Sequence, residues 1–274
     1  MKIGLALGSG GARGIAHIAL LEKLRDLGVN PSVVVGSSAG AVIGAFYSLF
    51  GIDGLLERMV EIADLNRKLI AKANEFMGRK RKLRDDVVEM SKIIFAHSLL
   101  AGDAMYNSLA RLFGSHRFSD CKTRFAVTTF DIEHGKTVVI DEGFILDAVV
   151  ASSSVPGAFP PVRLGGMHLV DGGTTRVVPV KESKMYGADF IVASDVSAFD
   201  PELSTMFALQ YTVDDIKGKI IADLDLQEAD MAVKFKIPHI QWYEFNKSKI
   251  IYRMAKKELE NVDFTTLLRA LESK

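Results

Sequence analysis

Apolar positions recur with two different periods along the first fifty residues of the chain. Short apolar runs that stop at glycine or serine clusters predict buried strands at Lys2–Leu7 and Ser32–Val35. Apolar residues at helical spacing predict helices over Arg13–Leu27 and Ala39–Phe50. A strand, a helix, a strand and a helix in this order indicate a parallel sheet with helices packed against it.

The later part of the chain carries four more strand patterns. Further strands are predicted at Thr123–Phe130, Thr137–Ile140, Asp189–Asp195 and Pro238–Tyr243. Glu133–Lys136 separates the first two of these and predicts a hairpin. Helices are predicted at Phe144–Ser152 and Lys247–Leu259. The patterns together predict an α/β fold in a single domain over residues 1–274.

The segment from Gly51 to Phe113 has a helical pattern throughout, with long charged stretches and a basic cluster between Arg79 and Arg84. We expect a helical insertion at about 51–113 that caps the active site, and a C-terminal helical segment at about 244–274. The basic cluster would suit an anionic membrane surface. Blocks of like charge are usually solvated, however, which favours an exposed helix end.

Composition narrows the functional classes. The chain has 274 residues and a formal net charge of +0, so charge gives no argument for a nucleic-acid partner. Its single cysteine, Cys121, excludes a disulfide framework within the chain and fits a reducing cytoplasm. Val33–Ile52 is uncharged, but its glycines and serines favour a strand, a turn and a buried helix over a membrane span. We expect a cytoplasmic protein and leave open a transient contact with a membrane surface.

The pentapeptide Gly36–Gly40 reads G-S-S-A-G and carries the first chemical signal. A G-x-S-x-G pattern places its serine on a sharp turn between a strand and a helix, and here Val33–Val35 precedes it and a helical pattern comes after it. The free amides and the dipole of the helix N-terminus favour negative charge at that point. The pattern predicts Ser38 as a nucleophile, and a glycine-rich packing turn is the alternative.

Directly after the first predicted strand, Gly8–Gly14 reads G-S-G-G-A-R-G. Consecutive glycines let backbone amides point into one cavity, which suits an oxyanion hole beside Ser38. A dinucleotide loop fits less well, because the glycine spacing is one residue off the fingerprint and no acidic residue ends the second strand. Arg13 in this segment is either an anion contact or half of a structural ion pair.

A serine needs a base to attack an ester at neutral pH. Asp171 lies between apolar Leu169–Val170 and two glycines, on a predicted loop whose apolar setting could raise its pKa. A lone aspartate can serve if it is within hydrogen-bond reach of the hydroxyl. A Ser38–Asp195–His239 triad is formally available and has the chain order of α/β-hydrolases. The position of the serine after only the second strand argues against it, but both alternatives stay open.

Four motifs occur in one order: G-S-G-G-A-R-G, G-S-S-A-G, A-S-S-S-V-P-G-A-F-P-P-V and D-G-G. The set resembles the patatin-like phospholipases, in particular a bacterial branch that is similar to the catalytic domain of neuropathy target esterase. The resemblance covers Lys2–Phe50 and Lys122–Val196 well, fits the C-terminal helix loosely and matches little within Gly51–Phe113. Each motif alone is a weak signal, but their order is specific.

The resemblance implies a three-layer α/β/α fold with a mainly parallel central sheet and a Ser-Asp dyad without a third member. Ser38 matches the nucleophile and Asp171 the aspartate of the dyad. Gly10 and Gly11 match the oxyanion-hole glycines, and Arg13 matches the arginine of the glycine-rich motif.

Four residues depart from the family's pattern. Ser9 stands where glycine is common, and Ser37 where threonine or cysteine is common. Thr174–Thr175 replace the usual asparagine pair after D-G-G, which puts the shape of the pocket near Asp171 in doubt.

The expected activity is that of a serine hydrolase that cleaves carboxylic esters of lipids, of the phospholipase A, lysophospholipase or esterase type. Amides of Gly10, Gly11 and Ala39 would hold the oxyanion, and an acyl-Ser38 intermediate would form. No metal and no other cofactor are expected, because the sequence has no histidine or cysteine cluster at ligand spacing. An acyltransferase would use the same residues in its first step and stays open as an alternative.

Overall fold

The computed structural model describes residues 1–65, 102–198 and 206–272 of the chain. Its strands are β1 (Ile3–Leu7), β2 (Val33–Ser37), β3 (Arg124–Asp131), β4 (Lys136–Ile140), β5 (Val162–Leu164), β6 (Met167–Asp171), β7 (Phe190–Asp195) and β8 (Met231–Lys234). Its helices are α1 (Ala16–Asp26), α2 (Ala39–Phe50), α3 (Leu55–Leu65), α4 (102–113), α5 (Ile145–Ser152), α6 (Val180–Met185), α7 (Met206–Leu226), α8 (Ser248–Leu259) and α9 (Thr265–Glu272). Short 3-10 turns cover Gly11–Ile15 and Gly172–Thr174.

All eight strands belong to one sheet with the order β5-β6-β3-β2-β1-β7-β8, and β4 pairs with β3. The pairs from β3 through β2, β1 and β7 to β8 are parallel. Strands β4 and β6 run antiparallel to β3, and β5 runs antiparallel to β6. The prediction of a mainly parallel central sheet is therefore confirmed.

Helices cover both faces of the sheet, because the central strands are apolar on both sides. Leu5 and Leu7 of β1 belong to a large core that includes residues of α1, α2, α5 and α8. Ala6, which lies between them in sequence, belongs to a second core with Ala222 and Leu226 of α7. Successive strand residues point to opposite faces, so the two cores lie on opposite sides of the sheet. The α/β/α layers agree with the expected fold class.

The strand predicted at Pro238–Tyr243 is wrong. The last strand is β8, and the chain after it runs through turns and irregular structure to a 3-10 turn at Phe245–Lys247. Pro238 has no amide hydrogen to donate to a strand ladder. His239 has φ 59°, a left-handed conformation that a strand does not contain.

The sequence patterns did not predict the β5–β6 hairpin, α6, α7 or β8. The β5–β6 hairpin covers Val162–Asp171, and its first strand has only three residues. Helices α6 and α7 together cover one face of the sheet, and β8 pairs with β7 at its edge. Of the predicted helical insertion, α3 and α4 are helical, whereas 66–101, including the basic cluster between Arg79 and Arg84, lie outside the described residues.

The start of α2 lies unusually close to the two strands beneath it. A Cβ atom on Gly40 would overlap the carbonyl oxygen of Leu7, and one on Gly36 would overlap the carbonyl oxygen of Gly40. Glycine is therefore required at both positions of the G-x-S-x-G pattern, because the backbones themselves are in contact. This close approach fixes where the turn between β2 and α2 lies relative to β1.

We predict that Gly40→Ala destabilises the fold by more than about 2 kcal/mol, because the added methyl group meets backbone that cannot move aside. Gly218→Ala in α7 is the matched control. Its Cβ would approach only a Val177 methyl group at 3.9 Å, so it should be neutral or stabilise by up to about 1 kcal/mol through helix propensity. Urea unfolding followed by circular dichroism measures both. Equal stability of the two variants would contradict the close contact at Gly40.

Candidate active site

Ser38 forms the turn between β2 and α2 and has φ 52° and ψ −116°. A positive φ is rare for a residue with a side chain, so the backbone of this turn is strained. Its backbone amide donates a 2.8 Å hydrogen bond to Ser152 Oγ, and that hydroxyl donates in turn to the carbonyl of Thr128 at 2.8 Å. Ser38 is 5% exposed. The turn is thus tied to α5 and β3 through one buried hydroxyl.

Asp171 is the last residue of β6, and not part of a loop as the sequence suggested. Its amide donates to the carbonyl of Ser154 at 3.0 Å. Its Oδ1 atom accepts the amide of Gly173 at 2.7 Å and caps the following 3-10 turn. The prediction of a loop failed because the two glycines after Asp171 form the turn, whereas the aspartate itself completes the strand.

The sheet register brings Asp171 to Ser38. Ser37, at the end of β2, pairs with Thr128 of β3, and Asp171 pairs with the next residue, Thr129. Thr128 therefore pairs with the strand that leads into Ser38, and its neighbour Thr129 pairs with the strand that ends at Asp171. The Ser-Asp arrangement results from strand order and not from proximity in sequence.

Burial raises the pKa of Asp171 to about 6, although the nearby Ser38 side chain and the Gly173 amide both lower it. Asp171 Oδ2 is buried and has no hydrogen-bond partner of good geometry among the described residues. The Ser38 hydroxyl is therefore near enough to affect this pKa without satisfying that oxygen. A desolvated carboxylate that has an unpaired oxygen and a hydroxyl nearby has the properties of a proton acceptor.

The beginning of the glycine-rich segment is held firmly. Gly8 donates its amide to the carbonyl of Ser194 at 2.9 Å, and Ser9 donates to the carbonyl of Val177 at 2.8 Å. The Ser9 side chain, at the position where the family commonly has glycine, lies against Gly173. This serine therefore fills space between the glycine-rich segment and the turn after Asp171.

The next two amides differ from those of Gly8 and Ser9. The N–H groups of Gly10 and Gly11 have no hydrogen-bond acceptor in the part of the chain that the structure describes, and the same holds for Ala39 at the start of α2. The following amide, that of Ala12, is bonded to the carbonyl of Trp242 at 2.6 Å. Gly11 has φ 58°, and a Cβ there would overlap that same carbonyl. The unpaired amides of Gly10 and Gly11 thus lie between the paired amides of Ser9 and Ala12. That they form an oxyanion hole stays a prediction.

Arg13 is buried and its Nη2 atom lies 3.8 Å from Asp215 Oδ1 on α7. This contact supports the structural ion pair that the sequence left as one alternative. The anion-binding role of Arg13 stays a prediction.

The segment after D-G-G, where threonines replace the family's asparagines, is tied to other parts of the fold. Thr175 Oγ1 lies 2.9 Å from Thr137 Oγ1 on β4. Arg176 Nε donates to Glu182 at 2.8 Å, and its Nη1 donates to Asp225 at 3.3 Å. These bonds join the chain beside Asp171 to α6 and α7.

The alternative triad is not assembled. Asp195 Oδ1 accepts the amide of Ser197 at 2.8 Å, and His239 is exposed. Within the described ranges, no hydrogen bond or ion pair joins His239 to Asp195 or to Ser38.

One group of side chains among the described residues is compact enough to hold a metal ion: Asp131, Glu133 and His134. It lies on the β3–β4 hairpin, where Asp131 accepts the amide of Glu133 at 3.1 Å and His134 Nδ1 at 2.7 Å. These bonds account for the cluster as a hairpin turn. The expectation of a reaction without a metal stays a prediction.

Two residues of the site were missed by sequence reasoning. Ser152 holds the amide of Ser38, and Ser154 accepts the amide of Asp171. Both belong to the run Ser152–Ser154 at the end of a predicted helix. For Ser152 the signal was present, since a hydroxyl buried at the end of an apolar helix needs a partner. For Ser154 there was none, because its backbone carbonyl is the acceptor.

Comparison with known proteins identifies the family to which this fold and site belong. Residues 5–183 match the family model described as patatin-like phospholipase. The chain belongs to the patatin-like phospholipase family. The matched range contains the glycine-rich segment, the turn at Ser38 and the D-G-G turn.

The curated relatives agree with this family. Lysophospholipase NTE1 of Yarrowia lipolytica is 31% identical over 198 residues, which is 72% of this chain and 13% of that protein. Lysophospholipase nte1 of Emericella nidulans is 29% identical over 198 residues, 72% of this chain and 12% of that protein. The chain thus spans about an eighth of the length of these relatives. The crystal structure of VipD from Legionella pneumophila is 14% identical, with a TM-score of 0.49 and coverage of 94% of this chain and 66% of that one.

The length and apolar character of its helices decide whether this patatin-like chain could cross a membrane within the described residues. No helix in residues 1–65, 102–198 or 206–272 is both long and apolar enough to cross a bilayer. The basic cluster that sequence analysis linked to an anionic surface lies outside these ranges.

Burial of the Asp171 carboxylate gives a prediction about stability. Its pKa in the fold, about 6, exceeds the ordinary value of 3.8, so the folded state binds the proton more tightly than the unfolded state does. Stability is therefore lost as pH rises through this interval and stays lower above it. Asp171→Asn removes the charge and keeps an oxygen for the Gly173 amide. We expect it to raise the free energy of unfolding at pH 8 by up to about 3 kcal/mol.

Urea unfolding of the two proteins between pH 4 and pH 8 tests this expectation, and the gain should shrink towards pH 4. Asp53→Asn, at a carboxyl whose side chain is 95% exposed, is the control and should change stability by no more than about 0.5 kcal/mol. A gain that is independent of pH would show that the buried charge is not its cause.

Proposed function

We propose that the protein hydrolyses the carboxylic ester bond of lysophospholipids, with Ser38 as nucleophile and Asp171 as general base. One observation carries the proposal: the buried carboxylate of Asp171, whose Oδ2 atom is unpaired among the described residues, interacts with the side chain of a serine on a strained turn. The lysophospholipid class is taken from the names of the relatives, and their sequence similarity supports it.

In the first step, Asp171 accepts the proton of the Ser38 hydroxyl while the hydroxyl oxygen attacks the ester carbonyl carbon. The carbonyl oxygen becomes an oxyanion, and the unpaired amides of Gly10, Gly11 and Ala39 are the donors proposed to hold it. The amide of Ser38 itself does not contribute, because it donates to Ser152. Collapse of the intermediate breaks the ester C–O bond, and Asp171 returns the proton to the leaving alcohol.

In the second step, water replaces the departed alcohol. Asp171 accepts a proton from the water, which attacks the acyl-Ser38 ester and forms a second oxyanion in the same amides. The intermediate releases the fatty acid, and the proton on Asp171 returns to the Ser38 oxygen. An alcohol acceptor in place of water would give acyl transfer, and product analysis with and without added glycerol distinguishes the two outcomes.

The dyad is tested with Ser38→Ala and Asp171→Asn, assayed for fatty-acid release from lysophosphatidylcholine micelles. Each variant should lose at least about 10³-fold in kcat, since neither residue can act without the other. His239→Ala is the control for the alternative triad and should stay within about twofold of the wild type. Circular dichroism verifies folding. Full activity of either dyad variant, or loss of activity in His239→Ala alone, would overturn the proposed assignment.

The pH dependence is set by the same carboxylate. The base must be ionised, and burial raises the pKa of Asp171 to about 6. We therefore expect kcat/KM to fall about tenfold per pH unit below roughly pH 6 and to be flat above it, since this ratio reports the free enzyme. A histidine base would give a similar midpoint, but imidazole loses its proton more easily on warming, whereas carboxyl ionisation is nearly athermal. A midpoint that moves strongly downward between 10 °C and 35 °C would exclude Asp171.

A further inference from the structure

His17 in α1 is fully buried and bonded through both ring nitrogens. Its Nε2 atom lies 2.8 Å from the carbonyl oxygen of Gly8, and its Nδ1 atom lies 2.8 Å from Ser194 Oγ on β7. Gly8 also donates its amide to the Ser194 carbonyl at 2.9 Å. The three residues form a closed ring of hydrogen bonds that joins β1, α1 and β7.

The direction of each bond can be assigned from the partners. A carbonyl oxygen only accepts, so Nε2 carries the ring proton and donates it to Gly8. Nδ1 then accepts the hydrogen of the Ser194 hydroxyl. Burial lowers the pKa of His17 to about 4, against the bond to Gly8, which raises it. The imidazole is therefore neutral under ordinary conditions, with a fixed tautomer and no nitrogen left for a substrate.

The bond to Gly8 matters because the oxyanion-binding segment begins two residues later. The peptide unit between Gly8 and Ser9 is held at both ends: its oxygen accepts from His17, and its N–H donates to the Val177 carbonyl at 2.8 Å. The unpaired amides of Gly10 and Gly11 come next. Glycine has no side chain to restrict its backbone, so the direction of those amides depends on how firmly the preceding peptide is held.

We propose that His17 is a positioning residue that orients the oxyanion-binding amides of Gly10 and Gly11 through its hydrogen bond to the Gly8 carbonyl. This inference rests on the proposed function. The ring does not contact the reacting atoms and acts through the peptide between Gly8 and Ser9. Removing the bond should therefore impair stabilisation of the transition state, with little effect on binding of the ground-state lipid.

A pair of amide variants separates the two bonds of the ring. The amide of glutamine extends far enough to replace Nε2–H as donor to Gly8, whereas asparagine reaches only the region of Nδ1 and Ser194. We expect His17→Asn to lower kcat by about 10- to 100-fold, which is less than the roughly 10²–10³ for a lost oxyanion donor because the amides are displaced and not removed. His17→Gln should recover most of this loss. His116→Gln, at a half-exposed histidine far along the chain, is the matched control and should match the wild type.

Two inhibitors provide a readout that general loosening of the fold would not reproduce. A long-chain trifluoromethyl ketone adds to the serine and forms a bound oxyanion, whereas a lysophospholipid ether analogue resembles only the ground state. In His17→Asn, the inhibition constant of the ketone should rise in proportion to the loss in kcat, and that of the ether should change less than about threefold. Wild-type kcat in His17→Asn, equal losses in the asparagine and glutamine variants, or a parallel rise for both inhibitors would each overturn the inference.

Thermal unfolding accompanies these measurements. A loss of activity in His17→Asn that disappears when the assay temperature is kept well below its Tm would also count against a positioning role. Failure of the proposed function is recognised separately. If a fluorophosphonate probe does not label Ser38 in the wild-type protein, or if Ser38→Ala stays active, then the dyad is wrong whatever the His17 variants show.

Discussion

Strand β3 pairs with β2 through Thr128 and with β6 through Thr129, so two adjacent residues join the strand that leads into Ser38 to the strand that ends at Asp171. The carbonyl oxygen of Thr128 also accepts a hydrogen bond from the Ser152 hydroxyl, and the oxygen of that hydroxyl accepts one from the Ser38 amide. A one-residue change of register would turn every side chain of the shifted strand to the opposite face. The candidate site therefore depends on backbone pairing at this point more than on any side-chain contact.

The same arrangement has an electrostatic cost. Placing Asp171 at the end of a buried strand removes water from its carboxylate, and among the described residues only Oδ1 receives a hydrogen bond in return. Full pairing would lower the pKa further and make the group more stable but less basic. An aspartate with one oxygen paired and the other unpaired keeps a fixed orientation and a raised pKa, which are the two properties that a lone carboxylate base needs.

Local sequence patterns predicted much of this fold, and the errors have local causes. The turn at Ser38 and α2 were found because a β-branched run, a G-x-S-x-G pattern and a helical pattern occur one after another. Hairpin β5–β6 was missed because Val162–Leu164 has only three residues between prolines and glycines. Asp171 was chosen as a candidate, but its place at a strand end depends on pairing with β3, which no local pattern contains. The role proposed for each candidate residue stays a prediction.

The glycines of this site allow backbone segments to come into contact, but they do not make the site rigid. At Gly40 the absence of a side chain lets α2 touch β1, and at Gly11 it permits a left-handed backbone against Trp242. Each glycine-rich turn is steadied from outside by a neutral, buried polar group: Ser152 holds the turn at Ser38, and His17 holds Gly8. Neutral groups suit this task because they fix the backbone without adding a charge. A charged side chain would compete with the backbone amides for the oxyanion or would alter the pKa of Asp171. The polar residues that surround the dyad without touching it are thus as much a part of the proposed chemistry as the glycines of the motifs.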